Sequence, residues 1–284
     1  MPDPSKLLLL DFFHLAFLLL GFGLMAYALI RRSNPLIRWH EHGNVWTQPF
    51  LKVDLLVFVL VTGSFYAMIR YSVEHDGAPG TAKMSELDSV GVISLLLSNF
   101  VMYGMLVGGV LFVVLYVRRV DIVELFGLSR LSPQRIFNWS IGMMIITLPI
   151  VLIVSFGWAT LLQRAYDMEP EAQEMVTLVQ NTSSLTVKLL VAFSACVFAP
   201  VAEEILFRGY FYPAVKRFSE RYFAAVVVSL LFAVVHANTM SVVPLFVLAM
   251  SLTIAYELTG CLLVPIAMHA IFNSITVVRL FTGT

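Results

Sequence analysis

Ala199-Pro200-Val201-Ala202-Glu203-Glu204-Ile205-Leu206-Phe207-Arg208-Gly209-Tyr210 lies near the end of an apolar segment, residues 187–212, that reads as a membrane span. Three formal charges in such a segment would each cost about 2.5–3.5 kcal/mol at mid-bilayer, so they need partners and imply a purpose. Glu204 and Arg208 are four apart with the acid first, the favourable order for an ion pair on one helix face. Glu203 points about 100° away from Glu204, toward a different neighbour. Pro200 removes a backbone donor, which predicts a kink just before the acids and a freed Cys196 carbonyl. Broken backbone at that depth is tolerated only against protein or a water-filled cavity. The stretch reads as a site.

Composition places the rest of the chain in the same solvent. Of 284 residues, 59% are hydrophobic and 13% charged, with a mean hydropathy of +0.87. A soluble domain averages about 45–50% apolar and 25% charged, so this chain belongs in a bilayer. Zero formal net charge gives no basis for nucleic-acid binding. Cys196 and Cys261 both fall in apolar segments and form neither a disulfide framework nor a zinc knuckle.

Outward from the motif, apolar runs at 7–30, 53–69, 90–117, 139–162, 187–212, 223–237, 242–258 and 261–280 predict about eight transmembrane helices. The fold class is an all-α polytopic membrane bundle, a single integral-membrane domain over 1–284 whose chemistry is carried by 187–280. Asp11 and His14, near the outer end of the first run, read as groups snorkelling to the interface. Gly104 and Gly108, with Gly109 beside it, predict close helix packing. The acidic connection 164–186 predicts a short surface helix after Pro170. Asn181-Thr182-Ser183 matches the glycosylation sequon, a three-residue match of little weight. Arg31, Arg32, Arg118, Arg119, Arg130, Arg135, Lys216, Arg217 and Arg221 follow odd-numbered spans, so the positive-inside rule makes that side cytoplasmic and puts both termini outside.

Beyond the two acids, the second half places His236, His269 and Asn273 within predicted spans, the last two on one helix face. Counted from the predicted cytoplasmic ends, Glu203, His236 and His269 lie roughly 12–20 Å deep, in one layer. A carboxylate with a histidine can take a proton from water and return one to a leaving amine. A second histidine with an amide can donate hydrogen bonds to an oxyanion. A histidine bonded across helices is the plainer account of each group alone, and three helices sharing one level favour a site.

Glu203-Glu204-x-x-x-Arg208-Gly209, then Phe232-x-x-x-His236, then His269-x-x-x-Asn273 resembles the three-motif signature of the CPBP family, which includes the type II CAAX prenyl endopeptidases and bacteriocin-processing proteins. The resemblance covers residues 187–275. It implies a glutamic-type intramembrane protease in which Glu203 and His236 activate water while His269 and Asn273 stabilise the oxyanion. Glu204, Arg208 and Phe232 would support them. It implies no cofactor and no metal, a peptide or protein substrate that is lipidated or membrane-anchored, and no partner beyond that substrate and the lipid bilayer. A multi-pass position in a bacterial or archaeal cell membrane follows from the same likeness. Two other readings stand beside it. A zinc hydrolase could use Glu203, His236 and His269 as ligands, although no His-Glu-x-x-His pairing is present. A non-enzymatic immunity or regulatory membrane protein could carry the same polar cluster.

Overall fold

The structure, a computed structural model, describes residues 4–34, 36, 41–74, 89–166 and 184–282. Among them there are helices and no strands: α1 (Pro4–Ser33), α2 (Lys52–Glu74), α3 (Ser89–Phe112), α4 (Ile122–Leu125), α5 (Pro133–Tyr166), α6 (Leu185–Phe193), α7 (Ala199–Glu204), α8 (Tyr212–Arg217), α9 (Arg221–Val235), α10 (Thr239–Thr259) and α11 (Leu263–Thr282). Three π-helical segments continue or join them, at Val113–Val117, Ser194–Phe198 and Ile205–Phe211. The acidic connection after Arg164 and the sequon fall largely or wholly outside the described residues.

Seven of the resulting segments are long and apolar enough to cross a bilayer, the fifth being the continuous run Leu185–Arg217. The one expected span that falls short, the sixth, is α9, apolar but only 15 residues long. The protein is therefore an integral-membrane helical bundle. Outward-facing Leu18, Ile153 and Phe156 are 71%, 72% and 77% exposed, as suits residues that meet lipid rather than water. Lipid tails are as apolar as these side chains, so helix association depends on close packing and on polar bonds.

Three apolar clusters provide that packing, the smallest joining Val92 and Leu96 of α3 to Val187 and Val191 of α6. In the largest, Phe13 and Ala16 of α1, Phe58 of α2, Phe211 of the π segment and Val227, Val228 and Leu231 of α9 are buried together. In the second, Met144 and Val151 of α5 meet Leu248 and Leu252 of α10 and Val264 and Met268 of α11. The motif run joins the largest cluster through Leu206, Phe207 and Tyr210. Gly104, Gly108 and Gly109 do not serve as the expected contact: a Cβ added at any of them would meet nothing within 4 Å. Those glycines face away from the neighbouring helices.

Capping residues set the short turns. Glu220 accepts from the backbone N–H groups of Tyr222 and Phe223 at the start of α9, and Asn238 accepts from Ser241 at the start of α10. Gly260 ends α10 with φ of 62°, its N–H returning to Tyr256 O. Only glycine fits there, since a Cβ would fall 2.1 Å from Arg130 Nη1.

The basic end of the bundle is tied by buried polar bonds that residue spacing did not announce. Asp54, fully buried at the start of α2, accepts from Arg118 Nη2 (2.5 Å), Tyr210 Oη (2.5 Å) and the Leu51 N–H (2.6 Å). Lys216 pairs with Glu257, which also accepts from Tyr212 Oη at 2.7 Å and from the Asn44 N–H at 3.2 Å. Residues 41–54 are thereby fixed to the motif run and to α10.

The positive-inside reading gives a labelling prediction. Ser219, in the turn before α9, is 1% exposed and would hide a cysteine, whereas Tyr222 is 66% exposed. Cys261, in the turn between α10 and α11, is buried, and burial pushes its thiol pKa up, which keeps it unreactive. Tyr222→Cys in a Cys196→Ser background is expected to react with an impermeant maleimide added from the cytoplasmic face. Reaction only from the outer face would invert the topology.

Candidate active site

The local fold of the motif begins with a register shift. At Ser194–Phe198 the helix loosens to π geometry, and the Ala199 N–H bonds Ser194 O instead of the carbonyl four residues back. In that register the next donor would come from Pro200, which has none. The freed carbonyl is therefore Ala195 rather than the expected Cys196. The Asn273 amide of α11 donates to it at 2.8 Å. Irregular backbone at membrane depth is thus covered by a side chain of the third motif.

Glu203 and Glu204 end α7 and separate as expected. Glu204 is 0% exposed and its Oε1 accepts from Arg208 Nη1 at 2.8 Å, with Arg208 also fully buried. Arg208 donates further to Ala249 O at 3.0 Å and lies 4.5 Å from the centre of the Phe232 ring. His269 donates from Nδ1 to the same Glu204 Oε1 at 2.9 Å, a carboxylate oxygen being able only to accept. Among the described residues, Glu204 Oε2 and Arg208 Nε have no protein partner.

Glu203 is 7% exposed. Its Oε2 stands 3.8 Å from His236 Nε2 and 3.9 Å from His269 Nε2, beyond direct hydrogen bonding. His236 Nδ1 lies 2.7 Å from Phe232 O, and since a carbonyl only accepts, that nitrogen carries the proton. Nε2 of neutral His236 is then a lone pair aimed at Glu203. The same argument applies to His269, whose Nδ1–H is held by Glu204. Its Nε2 becomes a donor only when the ring is protonated.

The structure brings Glu203, His236 and His269 together and places Glu204, Arg208 and Phe232 immediately around them. His236 is not inside a helix. It is the C-cap of α9, with a side chain 31% exposed, and Ala237 reverses the chain with φ of 52°. Asn273 stands one turn beyond His269 on α11, engaged with Ala195. One neighbour escaped the sequence reading: Tyr103 of α3 donates its hydroxyl to Glu203 Oε1 at 3.0 Å. Nothing in its spacing singled it out, because its partner is a hundred residues away. Among the described residues, no group of three His, Cys, Asp or Glu side chains could hold a metal ion.

In this membrane bundle a nearly buried carboxylate faces two imidazoles, groups that can exchange a proton with a water or substrate between them. Residues 185–275 match the family model Rce1-like, described as type II CAAX prenyl endopeptidase Rce1-like. That segment, which contains all three motifs, is similar to this family of membrane endopeptidases. No curated protein and no solved structure matches the chain.

Proposed function

We propose that the protein is a glutamic-type intramembrane endopeptidase. Glu203 and His236 hold a water beside Oε2 and Nε2, which stand 3.8 Å apart, beyond a direct hydrogen bond. They take its proton as the oxygen attacks the scissile carbonyl carbon. His269, protonated at Nε2, and the second N–H of the Asn273 amide donate to the oxyanion that forms. When the C–N bond breaks, the proton held by Glu203 and His236 passes to the leaving amine. Glu204 and Arg208 orient His269 through its Nδ1.

The observation that carries this reading is the approach of two Nε2 atoms to one oxygen of a nearly buried carboxylate. The substrate class follows from the family: a membrane-anchored or lipidated peptide, approaching from the cytoplasmic side or the inner leaflet. The catalytic core spans 187–280 within one membrane domain, in a bacterial or archaeal cell membrane. Comparative proteomics of cells carrying wild-type protein against Glu203→Ala tests it, with a peptide terminus expected to vanish in the variant. Identical termini in both strains would reject the reading.

Metal independence is a separate expectation. Turnover by purified protein should survive prolonged chelation, and elemental analysis should find no stoichiometric zinc. Activity lost to a chelator and restored by zinc would favour a metallohydrolase using the same three side chains.

A further inference from the structure

We infer that Tyr103 is a positioning residue for the reaction, fixing one oxygen of Glu203 so that the other faces water. The inference rests on the catalytic role proposed above for Glu203. It reaches outside the matched segment 185–275, to a helix with no family motif. Glu203 presents its two oxygens to different neighbours: Oε1 accepts from Tyr103 Oη at 3.0 Å, and Oε2 alone faces His236 and His269. A carboxylate with both oxygens free can rotate about its terminal bond, which is broad and roughly two-fold. One directed hydrogen bond removes that freedom.

Tyr103 is itself held. Its ring meets the Phe198 ring edge-on at 6.3 Å between centres, and Phe198 meets Phe100 at 4.5 Å. Phe198 ends the π segment that precedes the acids, so α3 grips the motif helix at both the loosened turn and the carboxylate. Depth agrees as well. Tyr103 lies fourteen residues before Val117 and Glu203 fourteen before Arg217, each about 21 Å of helix from the basic end.

A purely structural account also exists, in which a half-buried phenol needs an acceptor and takes the nearest one. The two accounts differ in what Tyr103→Phe does. That variant keeps the ring and its aromatic contacts and removes only the donor. Positioning predicts a fall in kcat of about 10–100-fold, with KM within twofold and the melting temperature unchanged. The other groups facing or flanking Glu203 are His236, His269, Glu204 and Arg208, all retained in the variant.

The assay uses the full chain in detergent and a fluorogenic peptide spanning the cleavage site found by the proteomic comparison. Glu203→Gln is measured beside Tyr103→Phe. An inactive Glu203→Gln with a Tyr103→Phe slowed in kcat at unchanged KM and melting temperature supports the inference. An inactive Glu203→Gln with Tyr103→Phe at wild-type kcat overturns it and leaves the catalytic reading intact. Loss of kcat only in step with a lowered melting temperature also overturns it, in favour of the structural account. Near-normal turnover by Glu203→Gln removes the reading on which the inference stands.

Discussion

Glu203→Gln is expected to lower kcat by about 10³-fold, the middle of the range for a lost general base, while the purified protein melts no lower than wild type. The amide has the shape of the carboxylate and still offers Tyr103 an acceptor, so the hydrogen bond to Oε1 has a replacement. What disappears is the basic oxygen facing His236 and His269. Removing a charge from a site only 7% exposed also removes a desolvation cost, which argues against destabilisation. Single-turnover kinetics and differential scanning fluorimetry on the same preparation separate the two effects. A variant within tenfold of wild-type turnover would show that Glu203 is not the base.

The second large effect is on folding. Arg208→Ala strands Glu204 in a site with no solvent access, and Glu204→Ala strands Arg208. Breaking one side of a buried pair costs about 3–5 kcal/mol. Arg208→Ala has further losses, since Ala249 O keeps Thr253 Oγ1 but gives up its second side-chain donor, and Phe232 loses the cation over its face. His269 remains on Glu204 and offsets part of the charge in that variant. Detergent-extracted yield and melting temperature should fall for both single variants. The double variant Glu204→Leu with Arg208→Met, which removes both charges together, should recover part of the loss. Two single variants as stable as wild type would show that the pair contributes nothing to the fold.

The sequence made some of this legible and hid the rest for physical reasons. The Glu204–Arg208 pair follows from four-residue spacing, which is local geometry, and it forms as expected. The meeting of Glu203, His236 and His269 was legible because a polar group in an apolar run is costly enough to signal itself. Tyr103 was not, since a tyrosine in a span carries no such cost and its partner comes from another helix. The π register at Ser194–Phe198 left no composition signal, and it moved the orphan carbonyl by one residue to Ala195. Ala237 turns the chain with positive φ where glycine or asparagine would have announced the turn, so His236 read as an interior residue. Lys216 and Glu257 sit 41 residues apart, and only the packing of α10 on the motif run brings them together.

The shortness of α9 bears on how the chain enters its membrane. A helix of 15 residues is about 22 Å long, against a hydrocarbon core of about 30 Å. It is too short to cross that core alone. It packs antiparallel to α10, joined by the tight turn at Ala237 and Asn238. Paired with it as one hairpin, α10 would supply in the bilayer the hydrophobic length that α9 lacks. The parity of the whole topology depends on that crossing: with α9 inserted the termini share a face, and without it they would lie on opposite sides. The helix that delivers His236 to Glu203 is thus also the one that decides which way the last two helices run.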